Sequence, residues 1–308
     1  MTGKVRPSFV GPPFLWALVR ELSYGHCKIC VMGGISILIL SLNEEINLPA
    51  CLDSCAWCDD IVVFDSFSVD GTRDIAAAKG VRFVQRRFDN YAAQRNAALT
   101  EVSYKHPWVL MVDADERLPP DLVEETQQAV ARADADTVLF RMRRKDFFMG
   151  RWLRRSSGYP TWFGRLVRLG RVRVEREVNE EYVAEGNVLH LESHLHHYPF
   201  NKGVANWYER HNRYSSMEAL AKVQSRTITP SLGAVFGKDP IERRRALKVL
   251  LYRVPMRPAI VFAYLYFVRL GILDGRAGLA FSRMRASYEL FIDLKVLEAE
   301  RRKLGLPV

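Results

Sequence analysis

The stretch Trp108-Val-Leu-Met-Val-Asp113-Ala-Asp115-Glu116 decides the fold of this chain. Its five apolar residues predict a buried strand, and three carboxylates follow directly. Open α/β sheets bind their ligands at the carboxyl ends of the strands. Two Asp side chains spaced i, i+2 at such an edge can converge on one Mg²⁺ or Mn²⁺ ion, whose other ligands are water and phosphate. A solvated acidic turn before a helix starting near Pro119 fits the same residues, and this stretch alone leaves both interpretations open.

The residues before this stretch alternate between apolar runs and amphipathic segments. Strands are predicted at 35–40, 60–64 and 81–84, and helices at 44–57, through 76 to 79, and at 90–99. The stretch that begins at Trp108 is then the fourth strand. This β-α-β-α-β-α-β order predicts an α/β fold with a parallel, Rossmann-like sheet and right-handed crossovers.

Polar and acidic residues follow the predicted strands. They are Asn43 and Glu44 after the first strand, Asp65 and Asp70 after the second, and Asp113 and Asp115 after the fourth. Such a row along one sheet edge is typical of a nucleotide site. The chain has no G-x-G-x-x-G after the first strand and no G-x-x-x-x-G-K-[ST], which disfavours a dinucleotide site and a P-loop. A carboxylate such as Asp65 can accept from the N–H of a base, while a metal on Asp113 and Asp115 neutralises a diphosphate.

The charge of the chain is high and unevenly distributed. The 308 residues have a net charge of +10, and 48% are hydrophobic, which excludes global disorder. Residues 141–176 contain twelve Arg or Lys against only Asp146 and Glu175, and a second basic region runs from Arg243 to the end. This balance indicates an anionic partner, which is a phosphate, an acidic lipid surface or a nucleic acid.

Two C-x-x-C pairs, Cys27 with Cys30 and Cys55 with Cys58, have a spacing that can bind zinc. However, Cys51, Cys55 and Cys58 lie with leucines on a predicted amphipathic helix, and no His or further Cys completes a local zinc site. We therefore favour cysteines buried in the core of a protein from a reducing cytoplasm.

Residues 1–32 differ from the rest of the chain. Their apolar run, 14–19, is too short to span a bilayer, and no cleavage site of small residues follows it. Met32 lies just before the first clear strand. We therefore expect a dispensable N-terminal extension at 1–32.

Four ordered motifs resemble those of the family 2 inverting glycosyltransferases, which have a GT-A fold. They are Ser41-Leu-Asn43-Glu44-Glu45, Asp65-Ser-Phe-Ser-Val-Asp70-Gly71-Thr72, Gln94-Arg95-Asn96-Ala97 and Asp113-Ala-Asp115-Glu116. The resemblance is strong over about 33–130 and continues weakly to about 300. Within the family, the chain resembles the branch that includes lipopolysaccharide core β-1,4-glucosyltransferases. Two residues depart from the pattern, since Leu42 replaces an aromatic that stacks on uracil in some relatives and Phe67 replaces a common glycine.

The resemblance implies a role for each motif. Asp65 would bind the base, and Asp113 and Asp115 the ribose and the metal-bound diphosphate of a nucleotide-diphosphate sugar, with Mg²⁺ or Mn²⁺ as cofactor. Glu44 and Arg95 would also contact the donor, although Glu44 also fits a residue in the first turn of a helix and Arg95 a surface arginine paired with a carboxylate. Asn96 could instead brace a neighbouring loop.

An inverting transfer needs a general base for the acceptor hydroxyl. Relatives have Val-His-Glu where this chain has Val178-Asn179-Glu180, so Glu180 is the predicted base, with an exposed acidic turn as the alternative. His197, in a His-Tyr pair typical of this branch, could bind the metal or the diphosphate, or be a structural hydrogen-bond donor.

The C-terminal part of the chain is basic and amphipathic. Residues 259–268 are apolar throughout, but Arg269 ends this run well short of a spanning helix. A helical region buried against the catalytic domain fits this pattern, as does a helix in the membrane interface. We favour the interface, because the surplus of arginine has no acidic partner in the sequence.

The sequence thus predicts a GT-A domain at 33–225, with a donor half at 33–130 and an acceptor half at 131–225, and a helical, membrane-interfacial region at 226–308. The predicted function is transfer of a hexose, from UDP-sugar in the first instance, to a lipopolysaccharide-core or lipid-linked acceptor at the inner face of the cytoplasmic membrane. A sugar nucleotidyltransferase, or another metal-dependent nucleotide-binding enzyme, is the alternative. A nucleic-acid partner is not expected, since no binding module is recognisable.

Overall fold

Four apolar runs form the parallel half of the sheet in the computed structural model, which describes residues 34–175, 181–225 and 256–308. The strands and the helices that connect them alternate as predicted, and their bounds are β1 Ile35–Ser41, α1 Leu48–Cys55, β2 Ile61–Asp65, α2 Thr72–Ala78, β3 Arg82–Gln85, α3 Tyr91–Glu101 and β4 Trp108–Asp113. The predicted Rossmann-like order is therefore confirmed.

Strands β1, β2 and β4 are apolar up to their last residue, apart from Ser36, because helices cover both faces of the sheet. On one face Ile37, Ile39 and Leu110 pack with Leu48 of α1, and on the other Leu38, Val109 and Met111 pack with Ala98 of α3. The cysteines Cys51 and Cys55 are buried with the first group and are free thiols, which confirms the core interpretation for both.

Helix α1 is shorter than the predicted helix 44–57. Asn43 has φ +54°, which interrupts the chain before the helix, and Pro49 lies in the first helical turn, where its missing N–H leaves no unmet hydrogen bond. Residues 44–47 form a turn, and this turn positions Glu44 at the sheet edge.

The second half of the chain adds strands of mixed direction to the same sheet. Its elements are β5 Glu116–Arg117, α4 Pro120–Arg132, β6 Thr137–Phe148, β7 Arg151–Trp152, β8 Trp162–Arg168, β9 Val172–Glu175, β10 Glu181–Ala184 and β11 Asn187–His197. Among the described residues the strand order is β3-β2-β1-β4-β8-β6-β11-β5, with β7 paired to β6 and with β9 and β10 in a separate pair. Strand β8 is antiparallel to both β4 and β6, and β11 is parallel to β6.

The C-terminal helices are α5 Gly203–Ser225, α6 Arg257–Ala263 and α7 Gly275–Lys303, with a π-helical turn at Tyr264–Val268 and a 3₁₀ turn at Gly271–Asp274. Helix α7 packs on α5 through two apolar groups, one with Phe148, Trp207 and Met284 and one with Ala219 and Ile292. The described part of the C-terminal region is therefore helical and is partly buried against the rest of the domain.

Among the described residues, no single helix has both the length and the apolar character needed to cross a bilayer. Residues Arg257–Val268 and Gly271–Lys303 reach that threshold only when taken together, and they meet at a bend of 74°.

Candidate active site

The carboxyl ends of the parallel strands place four polar side chains side by side. The β1–β2 register pairs Ser41 with Asp65, the β2–β3 register pairs Asp65 with Gln85, and the β1–β4 register pairs Leu40 with Asp113. These side chains come from separate motifs and share one edge because all four strands run in the same direction. The row is the floor of the candidate site.

Asp65 is fully buried at the end of β2. Its carboxylate accepts hydrogen bonds from the Ser41 hydroxyl at 2.9 Å, the Ser68 backbone N–H at 2.8 Å and the Gln85 amide at 3.1 Å, and it also contacts the Ser68 hydroxyl. A carboxylate with this many donors is fixed in orientation, as a group that recognises a base must be.

The two loops beside Asp65 are joined to each other. The Asn43 N–H donates to the Ser68 hydroxyl at 2.7 Å, and the Val69 N–H donates to the Asn43 side chain at 2.8 Å. Phe67 has φ +62°, the left-handed conformation that glycine adopts at least cost, and its ring is exposed. Leu42, the other departure from the family pattern, is also exposed.

Asp113, at the end of β4, forms two ion pairs. Arg95 of α3 donates to one carboxylate oxygen at 2.9 Å, and Arg165 of β8 donates to the other at 2.6 Å. Burial acts to raise the pKa of Asp113, but the charges of Arg165 and Arg95 outweigh it and keep that pKa well below its usual range. Arg95 is thus a buried arginine paired with Asp113 and not an exposed residue of the helix surface.

Glu116 is fully buried beneath this pair. The same Arg165 nitrogen that contacts Asp113 donates to Glu116 at 2.7 Å, and the Asp113 N–H donates to the second Glu116 oxygen at 2.9 Å. Burial raises the pKa of Glu116, and the charge of Arg165 only partly offsets it. Glu116 and Arg165 therefore fix the backbone from which the neighbouring carboxylates project.

Asp115 faces a different partner, His197 at the end of β11. The His197 Nε2 lies 3.3 Å from an Asp115 oxygen, and its Nδ1 lies 2.6 Å from Asp146. Burial and the nearby Arg144 act against protonation, but Asp115 and Asp146 outweigh both and raise the pKa of His197 to about 9. The short β5 strand produces this arrangement by pairing Glu116 with His197, while β6 pairs Asp146 with His197.

The donor set at Asp115 and His197 fits a divalent cation. Carboxylate oxygen is a ligand of Mn²⁺-type ions, and so is imidazole nitrogen once the Nε2 proton of His197 has been displaced by the metal. The Asp146 contact orients the imidazole as outer carboxylates commonly do at metal sites. Among the described residues no group of three or more His, Cys, Asp or Glu side chains is arranged to bind a metal. A metal here would therefore take most of its ligands from phosphate and water, as Mg²⁺ usually does.

Positive and negative charges are balanced within this cluster. Arg144 contacts Asp146 at 3.0 Å and Glu116 at 3.6 Å, and its guanidinium lies 4.3 Å from the centre of the Phe163 ring. Together with Arg95, Arg165 and His197 it faces the four carboxylates Asp113, Asp115, Glu116 and Asp146. A diphosphate would consequently need a further positive charge to bind here.

Glu44 lies at the rim of the same site. It accepts from the Lys202 ammonium at 2.5 Å and from the Asn47 amide at 2.8 Å. Burial raises the pKa of Glu44, against the opposing effect of Lys202 and Asn47. Lys202 also donates to the Asn43 carbonyl at 3.1 Å, so it joins the first turn after β11 to the loop after β1.

Glu180, the predicted general base, lies outside the described residues, at 176–180. The strand that leads to it is described, and Asn96 of α3 braces that strand. The Asn96 amide donates to the Val174 carbonyl at 2.8 Å, and the Val174 N–H donates to the Asn96 side chain at 2.8 Å. The bracing role expected as one possibility for Asn96 is what the structure shows.

Several residues of the site were not assigned from the sequence. Arg144, Asp146 and Arg165 were recognised only as members of a basic stretch, and Lys202 was not singled out. Alternation along β6 could have indicated that Arg144 and Asp146 share one face, but the strand that they face could not be identified without the fold.

Comparison with known proteins identifies the family. The profile described as Glycosyl transferase family 2 matches residues 36–184. The lipopolysaccharide core biosynthesis glycosyltransferase LpsC of Rhizobium meliloti (strain 1021) is 31% identical over 242 residues, which are 76% of this chain and 80% of that protein. This chain belongs to glycosyltransferase family 2.

Other similarities are more local. An uncharacterized glycosyltransferase of Rickettsia bellii (strain RML369-C) is 32% identical over 106 residues, 34% of this chain and 35% of that protein. A crystal structure of glucosyl-3-phosphoglycerate synthase from Mycobacterium tuberculosis, in complex with Mn²⁺, uridine diphosphate and phosphoglyceric acid, is 24% identical with a TM-score of 0.31. That match covers 38% of this chain and 44% of the synthase chain.

The family decides between the two enzyme classes that the sequence left open. The chain is a glycosyltransferase with a GT-A type α/β fold, and its described C-terminal part ends in the long helix α7.

Proposed function

We propose that this enzyme transfers a hexose, with inversion, from a nucleotide-diphosphate sugar to a glycan acceptor of the lipopolysaccharide core. The observation that carries this proposal is the convergence of Asp115 and His197, 3.3 Å apart, beside the row of strand ends that contains Asp65 and Asp113. Family membership supports the transfer of a sugar, and the name of the Rhizobium relative supports the acceptor.

The base of the donor is assigned to the end of β2. Asp65 is oriented by Ser41, Ser68 and Gln85, and we assign to it the ring N–H of a pyrimidine, which the carboxylate can accept once the loop at Ser68 opens. A uracil has such an N–H beside its carbonyl groups, which supports UDP-sugar as the donor. Exposed Phe67, two residues after Asp65, is available to cover the base.

The diphosphate is assigned to the space in front of Asp115. Asp115 and His197 would bind a divalent metal, Mg²⁺ or Mn²⁺, which when bound supplies the positive charge that stabilises the departing diphosphate. Asp113 is already paired with Arg95 and Arg165, so its part is to position the loop and to contact the ribose. Asp146 keeps the His197 ring oriented through the 2.6 Å contact at Nδ1.

The acceptor is assigned to the side of the site formed after β9. We propose that Glu180 removes the proton of the acceptor hydroxyl as that oxygen attacks the sugar carbon. Residues 176–180 are flanked by the paired strands β9 and β10, and Asn96 of α3 holds β9 through two hydrogen bonds to Val174. The basic residues between 141 and 176 provide charge for phosphate groups on the acceptor.

We further propose that the enzyme works at the cytoplasmic face of the cytoplasmic membrane. An acceptor with a lipid part is confined to that surface, and the positive net charge of the chain is suited to anionic lipids. The donor is soluble and reaches the site from the cytoplasm.

The test is a donor-panel assay with a defined lipopolysaccharide core acceptor, with and without Mn²⁺. We expect turnover with one UDP-sugar that depends on metal. The variant Asp115→Asn should lose both turnover and the binding of Mn²⁺ measured by calorimetry in the presence of UDP. Asp146→Asn should weaken that Mn²⁺ binding by about 10- to 100-fold, as loss of an outer ligand commonly does.

Asp136→Asn is the matched control, since Asp136 is exposed at the start of β6, at the opposite end of that strand from Asp146. It should behave as the unchanged enzyme in both assays. Full Mn²⁺ binding by Asp115→Asn would remove the metal assignment, and transfer without any nucleotide sugar would remove the proposed reaction.

A further inference from the structure

The turn between α6 and α7 exposes an unusual amount of apolar surface. Six side chains within ten residues are between 45% and 70% exposed, and they are Tyr264, Phe267, Val268, Leu270, Ile272 and Leu273. None of the residues of α6 or of the π-helical turn is buried. We refer to residues 264–273 as the apolar turn. A contiguous exposed apolar patch of this kind marks a binding surface for a protein or a membrane.

The apolar turn has a defined position relative to the acceptor half of the domain. Asp274, at its end, is buried and accepts hydrogen bonds from the Arg155 N–H at 3.0 Å and from the Ser156 N–H and hydroxyl, both at 2.8 Å. Arg269 donates to the Tyr159 carbonyl at 2.8 Å, and Arg151 donates to the Leu273 carbonyl at 3.2 Å. The turn is therefore attached to residues 151–159, which follow β6.

The backbone of the turn also packs closely on α7. A Cβ atom at Gly278 would overlap the Gly271 carbonyl oxygen, so the first turn of α7 can approach the 3₁₀ turn only because residue 278 is a glycine. The exposed apolar residues are thus presented by a fixed support and not by a loosely attached loop.

The charges around the apolar turn are positive. Arg151, Arg154, Arg155 and Arg276 are exposed beside it. Residues 256–278 include a single acidic residue, Asp274, and its carboxylate is engaged in the contacts with Arg155 and Ser156. Exposed apolar and aromatic groups bordered by arginine are the composition of a segment that lies in the headgroup region of an anionic bilayer.

We propose that the apolar turn inserts into the interface of an anionic phospholipid bilayer, with the neighbouring arginines on the lipid headgroups. Because the turn is attached to residues 151–159, insertion places the acceptor half of the active site at the membrane surface. This goes beyond membrane association in general, since it assigns contact to the turn between α6 and α7 while α7 itself packs on α5.

The experiment uses the full chain and sedimentation with phospholipid vesicles, in the absence of donor and acceptor. The vesicles contain phosphatidylcholine alone or a mixture with phosphatidylglycerol. We expect the protein to sediment with the anionic vesicles. Since turnover is not measured, failure of this proposal is distinguishable from failure of the proposed function.

The apolar contribution is tested with Phe267→Ser combined with Leu273→Ser, whose side chains are 57% and 59% exposed. We expect affinity for anionic vesicles to fall roughly tenfold or more, because apolar area supplies much of interfacial binding. The matched control is Leu294→Ser combined with Leu297→Ser on α7, where both side chains are 54% exposed. The control should bind as the unchanged protein does.

The charge contribution is tested with Arg154→Ser combined with Arg276→Ser. Each arginine near an anionic surface contributes about fivefold in affinity, so binding should fall by roughly 25-fold on anionic vesicles and little on neutral ones. Arg73→Ser combined with Arg132→Ser removes the same charge from exposed sites on α2 and α4 and is the control.

Insertion is separated from surface adsorption by lipids brominated in their acyl chains. The variant Phe267→Trp should gain tryptophan emission that these lipids quench, and Leu297→Trp should not. Equal quenching of the two variants would overturn insertion. The proposal is also overturned if the folded Phe267→Ser, Leu273→Ser protein binds vesicles normally, if the α7 control loses as much binding, or if the unchanged protein ignores anionic vesicles. In the last case the surface would belong to a protein partner.

Discussion

Replacement of Arg165 by methionine is the sharpest test of how the site is built. Arg165 is 2% exposed, and one of its nitrogens donates to both Asp113 and Glu116, at 2.6 and 2.7 Å. Methionine fills much of the same volume without a charge. Asp113 keeps its partner Arg95, but buried Glu116 would lose its hydrogen-bonded cation and keep only weaker interactions with Arg144, at 3.6 Å, and with the charge of His197 among the described residues.

The expected loss of stability follows from the Glu116 charge, which remains buried in the variant. Removing one partner of a buried ion pair typically costs about 3–5 kcal/mol, because the other charge stays buried without compensation. For a domain of this size that corresponds to a fall in Tm of roughly 6–20 °C. The pKa of Glu116 is already raised by burial, so in the variant the carboxyl should take up a proton more readily still.

The measurement is urea unfolding at pH 7 of four proteins that complete a double-mutant cycle, namely the unchanged chain, Arg165→Met, Glu116→Gln and the combination. Glutamine keeps an acceptor for the Asp113 N–H but has no charge. Adding Glu116→Gln to Arg165→Met should therefore restore stability by about 0.5–3 kcal/mol. Arg168→Met on the same strand is the control, because the Arg168 guanidinium donates to backbone carbonyls. Its removal should lower the free energy of unfolding by about 1 kcal/mol.

Two results would refute this reasoning. One is an Arg165→Met protein that is destabilised no more than Arg168→Met. The other is a combined variant that is less stable than Arg165→Met alone, which would mean that the Glu116 charge is not the source of the loss.

Three further predictions concern other parts of the domain. The His211 ring stacks on Trp207 with the ring centres 3.5 Å apart, and burial lowers the pKa of His211 to about 4. Because the unfolded chain binds the proton more readily, stability should fall as pH drops from the ordinary His value of 6.5 towards 4. In melting curves, His211→Phe should lose this part of the acid sensitivity. Asn96→Ala removes both hydrogen bonds to Val174 and should lower the free energy of unfolding in urea by about 1–3 kcal/mol. It should also lower kcat more than it raises the donor KM, and an unchanged kcat would contradict the positioning role. Phe67→Gly should be more stable than Phe67→Ala by about 1 kcal/mol, since both remove the exposed ring but only glycine adopts φ +62° without strain; equal stabilities would show that the turn relaxes.

The parallel half of the fold was predictable from the sequence because each of its elements has a local signature. Strands covered on both faces are continuous apolar runs, and the residues that end them at Asp65 and Asp113 change abruptly from apolar to acidic. One element was predicted too long: helix α1 begins at Leu48 and not at Glu44, because the left-handed conformation of Asn43 and the turn at 44–47 precede it. Tertiary contacts between the loops, including the Asn43–Val69 hydrogen bond, fix that conformation.

The other half of the candidate site could not be predicted in the same way. Arg144, Asp146 and Arg165 lie on strands whose charged residues look, in sequence, like a solvated basic surface. They enter the site because β8 runs antiparallel between β4 and β6, and because β11 then pairs with β6 through a register that shifts between His190 and His194.

The sequence by itself determined the family, the order of the parallel strands and the residues that end them, since buried strands and their polar ends depend on neighbours close along the chain. Only the tertiary structure decided which partner each carboxylate of the acidic motif has. Asp113 and Glu116 pair with buried arginines, and Asp115 pairs with His197, 82 residues further along. The physical reason is that charged groups removed from water must be paired, and their partners are set by strand pairing across the sheet and not by spacing along the chain.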